Sequence, residues 1–268
     1  MKQRQIFIRT NGMAPSQETE RLLKNKLQAS GFTVTEKYTP DAELLISIGG
    51  DGSTLNAIHE YDFPETPIVG INTGHLGFFQ EIHPEELDEF IFNYREGSYT
   101  TQKLLAVQAV VTASDGTQHV HTGLNEIVIR GSHSYSSHLN ISIGESFIER
   151  FSGDGILIAS PAGSTAYNYS VGGSIVDPRL KLLQVTPIAP MNTTAYRSFT
   201  SSILLPSDMT LGVIPEYTKD NSTYILNDGK ETLYHDIRAI RVGFSDKVVR
   251  LIRFANYDFW NKVKTKFL

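Results

Sequence analysis

Over the first hundred positions, apolar residues recur in two alternating rhythms. Gln5 to Arg9, Phe32 to Thr35, Leu44 to Ile48 and Pro67 to Ile71 are short runs that read as strands, and Leu44 to Ile48 as a buried one. Between them, Leu22, Leu23 and Leu27 share a helical face over Ser16 to Ser30, with Ser16 as N-cap and Gly31 past the end. Leu55 to Tyr61 predicts a second helix opened by Ser53 and Thr54, and Pro84 to Gly97 a third with an acidic first turn. Such strand–helix alternation predicts a parallel sheet flanked by helices.

From about Tyr99 the period falls to two. Leu104 to Thr112 and Gln118 to His121 flank Asp115-Gly116, a hairpin pattern. Short strands follow at Asn125 to Arg130, Leu139 to Ile143, Glu145 to Ser152 and Ile156 to Ser160. Others are predicted at Ile203 to Leu205, Met209 to Ile214, Thr223 to Leu226, Ile237 to Val242 and Val248 to Phe254. One helix, Ser164 to Val171, interrupts them. In the tail, Phe259, Trp260, Val263 and Phe267 recur at helical spacing over Tyr257 to Phe267, so that face must dock. The expected architecture is an α/β N-terminal domain, residues 1–99 joined by 255–268, plus a β-rich C-terminal domain, residues 100–254. The tail is expected to pack back on the first domain.

Composition narrows the class. A chain of 268 residues, 40% hydrophobic and 20% charged, suits a soluble globular protein of one or two domains. No run approaches the roughly 18 apolar residues of a membrane span. Met1 to Ile8 enters a strand pattern with no signal-peptide core, and cytoplasmic residence is the expectation. Without cysteine, disulfides, thiolate metal sites and cysteine nucleophiles are excluded. A net charge of −5 gives no general attraction to nucleic acid. Lys262, Lys264 and Lys266 read as a solvated helix face.

The candidate chemistry begins where the strand Leu44 to Ile48 ends in Gly49-Gly50-Asp51-Gly52-Ser53. A glycine turn into a helix N-terminus aims several N–H groups and the helix dipole at one point, which favours a phosphate. Asp51 adds a negative charge there, so it reads as a general base or metal partner rather than a phosphate ligand. This is a kinase-like turn without the lysine of a P-loop. Leu124-Asn125-Glu126 joins an amide to a carboxylate, a set suited to a ribose diol or an adenine edge; a surface dipeptide is the plainer reading. Gly153-Asp154-Gly155 places another carboxylate in a turn. Ser160-Pro161-Ala162-Gly163-Ser164-Thr165-Ala166-Tyr167-Asn168-Tyr169-Ser170 is a small-residue loop running into a helix, with Tyr167 as a stacking face.

In this order and spacing, these four segments resemble the NAD kinase family over nearly the whole chain. Thr73-Gly74-His75-Leu76-Gly77-Phe78 and Thr186-Pro187-Ile188-Ala189-Pro190 resemble recurring family segments too. The resemblance implies transfer of a phosphoryl group to the 2′-hydroxyl of the adenosine ribose of NAD, making NADP. It implies ATP as donor, or inorganic polyphosphate in some members, with Mg²⁺ or another divalent metal arriving on ATP rather than in a protein cage. By the same resemblance Asp51 takes the proton of the attacking hydroxyl. Asp51, Gly52, Asn125, Glu126, Asp154, Thr165, Ala166, Tyr167, Asn168, Ser170 and Ala189 hold NAD, and Gly49, Gly50, Gly52 and Ser53 face the phosphates. His75, Phe78, Arg150, Ser152, Ser164 and Asp228 stand near the site with less support. A homodimer or homotetramer is implied, with neither nucleic acid nor membrane as partner.

Departures from the family pattern are informative. Ser152 stands where a basic residue often precedes the Gly-Asp-Gly turn, and Arg150 shares its strand face and is a candidate for supplying that charge. Tyr169 replaces a basic or small residue. His119-Val120-His121 pairs two imidazoles on one strand face, read as a hairpin edge for want of a third ligand, and His133 and His138 flank an apparent loop. His75, between glycines, reads as a brace for its turn. Two other readings stay open: a sugar or lipid kinase sharing only the GGDG turn, and a nucleotide sensor that binds without turnover.

Overall fold

A computed structural model describes residues 4–132, 135–194, 196–217 and 220–267. The chain divides into two compact units, Met1–Leu104 with Val248–Leu268 and Leu105–Lys247.

The first unit is a parallel sheet with helices. Its strands are β1 (Gln5–Thr10), β2 (Thr33–Thr35), β3 (Leu44–Gly49), β4 (Ile68–Asn72) and β5 (Gln80–Ile82), and its helices α1 (Ala14–Ala29), α2 (Asp51–Glu60) and α3 (Leu87–Arg95). β2, β1, β3 and β4 lie side by side, all parallel, with β5 parallel to β4. β3 and β4 are buried at every position, as expected of strands covered on both faces. Ile6, Ile46, Ile48, Val69 and Ile71 form one core with Leu23 and Leu27 of α1 and Phe90 and Ile91 of α3.

Strands dominate the second unit, and β6 (Thr100–Ala113) leads into it. β7 (Gln118–Gly123), β8 (Glu126–Gly131), β9 (Ser137–Ile143), β10 (Ser146–Gly153) and β11 (Gly155–Ala159) follow. After a 3₁₀ turn (Ala162–Thr165) and the single helical turn α4 (Tyr167–Ser170) come β12 (Leu182–Ile188), β13 (Ile203–Pro206), β14 (Leu211–Glu216), β15 (Ser222–Asn227) and β16 (Lys230–His235). One sheet runs β13-β12-β11-β8-β15-β16, antiparallel throughout. Its inner face packs Ile127, Ile129, Ile156, Ile158 and Val185 against Leu139, Ile141, Val213 and Ile240. The long β17 (Ile237–Arg253) leaves this unit and ends in the first, where Leu251 pairs with Ile68. α5 (Phe259–Phe267) closes the chain and packs Phe259 and Phe267 on Phe78, with ring centroids 5.7 and 5.8 Å apart.

Several elements differ from the sequence reading. α1 starts at Ala14, because Pro15 fits the first helical turn, and Ser16 is a buried residue bonded to Thr73 at 2.7 Å rather than a cap. Leu22 is exposed while Leu23 and Leu27 are buried. α2 begins at Asp51, four residues before the predicted start, since the acidic residue suits the first turn of a helix. The helix predicted over Ser164 to Val171 breaks at Ala166 into two short turns. The predicted strands Ile237 to Val242 and Val248 to Phe254 are one strand. β5, β12 and β16 carry no signal strong enough to predict; β12 contains Pro187, which argues locally against a strand. The tail helix docks on the first unit as expected, but Lys262 is not a solvated face residue: its ammonium hydrogen-bonds the carbonyls of Gly77 and Gln80.

Candidate functional site

In the first unit the site is built on the β3–α2 junction. Gly49 has φ +146°, and a Cβ there would run into Ser53 and Asn11, so only glycine fits between strand and helix. The Ser53 hydroxyl accepts the Gly50 N–H at 3.3 Å, while Ser53 and Thr54 N–H donate to Gly50 carbonyl. The first N–H groups of α2 have no acceptor inside the helix, which leaves Asp51 and Gly52 facing outward. Asp51 stands at this positive end of the helix dipole.

The Asp51 carboxylate is held by a second segment. Its Oδ2 accepts the Phe78 N–H at 3.0 Å and its Oδ1 the Phe79 N–H at 2.9 Å. Lys266 Nζ lies 3.8 Å from Oδ2 and 5.0 Å from the centre of the Phe78 ring. Gly77 permits this approach, because a Cβ at that position would collide with the Asp51 carboxylate and the Gln80 amide. A carboxylate fixed by two backbone donors keeps lone pairs free on both oxygens, so it can still accept a proton from a bound hydroxyl. His75 is exposed, and the nearby turn is braced by Asn72 Oδ1 accepting the Gly74 N–H at 3.1 Å.

The second unit gathers Asn125, Glu126 and Asp228. Asp228, with φ +47°, turns its carboxylate onto the main chain before β8: Oδ2 accepts the N–H of Leu124 at 2.6 Å, and Oδ1 those of Asn125 and Glu126 at 2.8 and 3.2 Å. This fixes two side chains that are 7% exposed and carry buried oxygens, Asn125 Oδ1 and Glu126 Oε2, without a hydrogen-bond partner. Buried polar atoms are normally paired, so these two have hydrogen-bonding capacity that the described residues leave unused. Burial, then the Asp228 charge, pushes the Glu126 carboxyl up to about 8. At neutral pH it therefore carries a proton and offers a donor as well as an acceptor.

The loop after β11 is tied to the same dipeptide. Ser160 N–H donates to Asn125 carbonyl at 2.9 Å and its hydroxyl to Leu124 carbonyl at 2.5 Å. Tyr167 is 41% exposed, and Thr165 and Ala166 are half-buried, so all three present surface. Ser170 is exposed on the same turn. Asn168 and Ser164, by contrast, have no exposed surface. Asn168 Nδ2 donates to Ser164 and Ser174 carbonyls and its Oδ1 accepts from Thr186, so its amide holds the loop. Asp154 is exposed in its turn, and its N–H donates to Ile188 carbonyl at 3.0 Å. Ala189 follows with φ +45°, at the end of β12.

Arg150 does not supply a free charge beside Ser152. Its guanidinium pairs with Glu216 at 2.6 Å, and Ser152 is fully buried against His138 Nδ1 at 2.8 Å. His121 bonds Tyr234 and the His119 ring lies tilted against it at 5.3 Å, and among the described residues no three His, Asp or Glu side chains converge on a metal position. His133 lies outside the described residues. Sequence reasoning missed Phe79, Lys262, Lys266 and Arg253, which reach Asp51 or its supporting segment through backbone groups or from the far end of the chain.

Family models match on both sides of the molecule: the ATP-NAD kinase N-terminal domain over residues 10–99 and the ATP-NAD kinase C-terminal domain over residues 124–254. An NAD kinase of Finegoldia magna is 36% identical over 266 residues, 98% of this chain and 97% of that protein. One from Staphylococcus carnosus is 34% identical, covering 87% of each. Among solved structures, yeast NADH kinase complexed with NADH superposes with a TM-score of 0.85 at 18% identity, over 98% of this chain and 86% of that one. An Archaeoglobus fulgidus NAD kinase in complex with ATP gives 0.77 at 21%, over 97% and 99%. With a matched domain in each unit and relatives above 30% identity along nearly its full length, this chain belongs to the NAD kinase family.

Proposed function

We infer that the protein phosphorylates NAD with ATP to make NADP. The observation that carries this reading is the dipeptide Asn125-Glu126, an amide and a protonated carboxyl whose main chain Asp228 fixes and whose buried oxygens have no hydrogen-bond partner among the described residues. That set complements the paired donors and acceptors of a ribose or an adenine edge. The acceptor hydroxyl in this reading is the 2′-hydroxyl of the adenosine ribose, and Asp51 is its general base. Tyr167, with Thr165, Ala166, Ser170, Asp154 and Ala189, completes the NAD surface, while Gly49, Gly50, Gly52 and Ser53 face the donor phosphates.

Phosphoryl transfer calls chiefly for positioning and charge neutralisation. The positive N-terminal end of α2 and the Lys266 ammonium offer the latter. A divalent ion in this reading arrives bound to ATP, where it would neutralise charge on the donor phosphates. Inorganic polyphosphate as an alternative donor, a homodimer or homotetramer, and a cytoplasmic location complete the proposal; among the described residues no helix is long and apolar enough to cross a membrane.

The test is incubation with NAD, ATP and Mg²⁺, with NADP followed by an NADP-specific dehydrogenase. NADP should form, and Asp51→Asn should lower turnover by about 10²- to 10⁴-fold with NAD affinity kept. Binding of NAD without NADP from either ATP or polyphosphate would point to a sensor. Turnover of a sugar or lipid in its place would overturn the reading.

A further inference from the structure

Asp51 is held by two peptide units, and each of those units is gripped from behind by a cation. The first comprises the Gly77 carbonyl and the Phe78 N–H: the N–H donates to Asp51 Oδ2 at 3.0 Å, and the carbonyl accepts from Lys262 Nζ at 3.2 Å. The second comprises the Phe78 carbonyl and the Phe79 N–H: the N–H donates to Asp51 Oδ1 at 2.9 Å, and the carbonyl accepts from Arg253 Nη2 at 3.2 Å. Lys262 also bonds the Gln80 carbonyl, so the whole Gly77-to-Gln80 segment is fixed from one side. Chains of this kind polarise one another, since a cation on a carbonyl makes the N–H of the same peptide a better donor.

From this geometry we propose that Lys262 and Arg253 are positioning residues for Asp51, acting through the Gly77–Phe78 and Phe78–Phe79 peptides to aim and charge-balance the catalytic carboxylate. The inference rests on the general-base role given to Asp51 above. It assigns to the C-terminal helix a part in the chemistry as well as in packing. A docked tail needs only apolar contacts, and α5 has those in Phe259, Val263 and Phe267. Lys262 adds to these a charged donor on the Gly77 and Gln80 carbonyls, so its effect on Asp51 must be read from kcat and its pH profile rather than from stability.

The groups facing Lys262 are the Tyr257 ring at 5.3 Å, Arg253 at the end of β17, Glu81 on β5, Asp51 on α2 and Lys266 on α5. Burial, then Arg253, lowers its ammonium to about 8, against the opposing pull of Glu81 and Asp51. The positioning charge is thus one that titrates just above neutrality, whereas an arginine in its place would not.

The experiment measures kcat at saturating NAD and ATP, and NAD affinity separately, for the native chain, Lys262→Met and Lys262→Arg. Lys262→Met should lose up to roughly a hundredfold in kcat, the scale of a misaimed catalytic group, with NAD affinity within about twofold. Lys262→Arg should recover most of that loss. Across pH 7 to 9.5, kcat of the native chain should decline around pH 8, and that decline should vanish in Lys262→Arg; this comparison stands even where Lys262→Met fails to fold. Equal loss in both variants, loss confined to NAD affinity, or the same alkaline decline in native and Lys262→Arg proteins would overturn the proposal while leaving the kinase reading intact. A native chain that makes no NADP would overturn the kinase reading and this inference together.

Discussion

The Asp228 carboxylate does two opposite things to Glu126: Oδ1 accepts the Glu126 main-chain N–H at 3.2 Å, and its charge adds to burial, the larger cause, in raising the Glu126 side-chain carboxyl. The main chain is fixed at the expense of the side chain's ionised form. In the folded protein Glu126 keeps its proton up to about pH 8, against an ordinary 4.5. Because the folded value is the higher one, this group's contribution to stability is whole below the ordinary value. It is lost progressively as pH rises to the folded value, and is constant above that.

Glu126→Gln removes the titration and keeps the shape. Its melting temperature relative to the native chain should rise between pH 5 and pH 8. At about 1.4 kcal/mol per pH unit the ceiling over these three units is about 4 kcal/mol, or a gain of up to roughly ten degrees by pH 8. Thermal melts of both proteins at pH 5, 6.5 and 8.5 check this, and a difference that does not change with pH would show that Glu126 ionises normally.

Gly77→Ala tests the approach of the second segment to Asp51. The added methyl would enter the space of the Asp51 carboxylate and the Gln80 amide, both packed, so one of the two hydrogen bonds to Phe78 and Phe79 must lengthen. Turnover should fall about a hundredfold. Gly74→Ala is the control in the same segment, because nothing lies within 4 Å of a Cβ there. It should change turnover less than about twofold, in keeping with an open surface position. Similar losses in both variants would mean that the segment as a whole, and not the Asp51 contact, sets the rate.

What the sequence made legible was whatever is written locally. The buried strand β3, its glycine exit and the acidic first residue of α2 are contiguous, so the turn and Asp51 were visible as one object. The two-residue period after Tyr99 likewise announced a β-rich unit. Asn125 and Glu126 were visible only as a weak dipeptide, because their meaning comes from Asp228, a hundred positions later. The same distance hid Lys262: three lysines on an amphipathic tail read as solvent-facing until the helix is docked and one of them meets the Gly77 and Gln80 carbonyls. Strand periodicity likewise placed Arg150 beside Ser152 but could not show Glu216 closing on its guanidinium. Backbone acceptors and partners remote in sequence leave no pattern in a single chain.

Arg253 is held almost entirely out of water by the residues around it. Its side chain is 5% exposed and that of Glu81 is 4% exposed, with Nη1 and Oε2 3.2 Å apart. The guanidinium also donates to Gln102 Oε1 at 2.8 Å and stacks on the Tyr257 ring at 3.8 Å, while Glu81 Oε1 accepts the Phe254 N–H at 2.6 Å. Removing one member of a buried ion pair strands the other charge, at a cost of about 3–5 kcal/mol. Arg253→Met should therefore destabilise the protein on that scale in urea unfolding. Adding Glu81→Gln to it should recover part of the loss, because the stranded carboxylate is then gone while its amide oxygen still accepts from Phe254. Losses that simply add in the double variant would mean the two charges are solvated separately. A recovery of stability without recovery of turnover would separate the two duties of Arg253, since only its bond to the Phe78 carbonyl reaches Asp51.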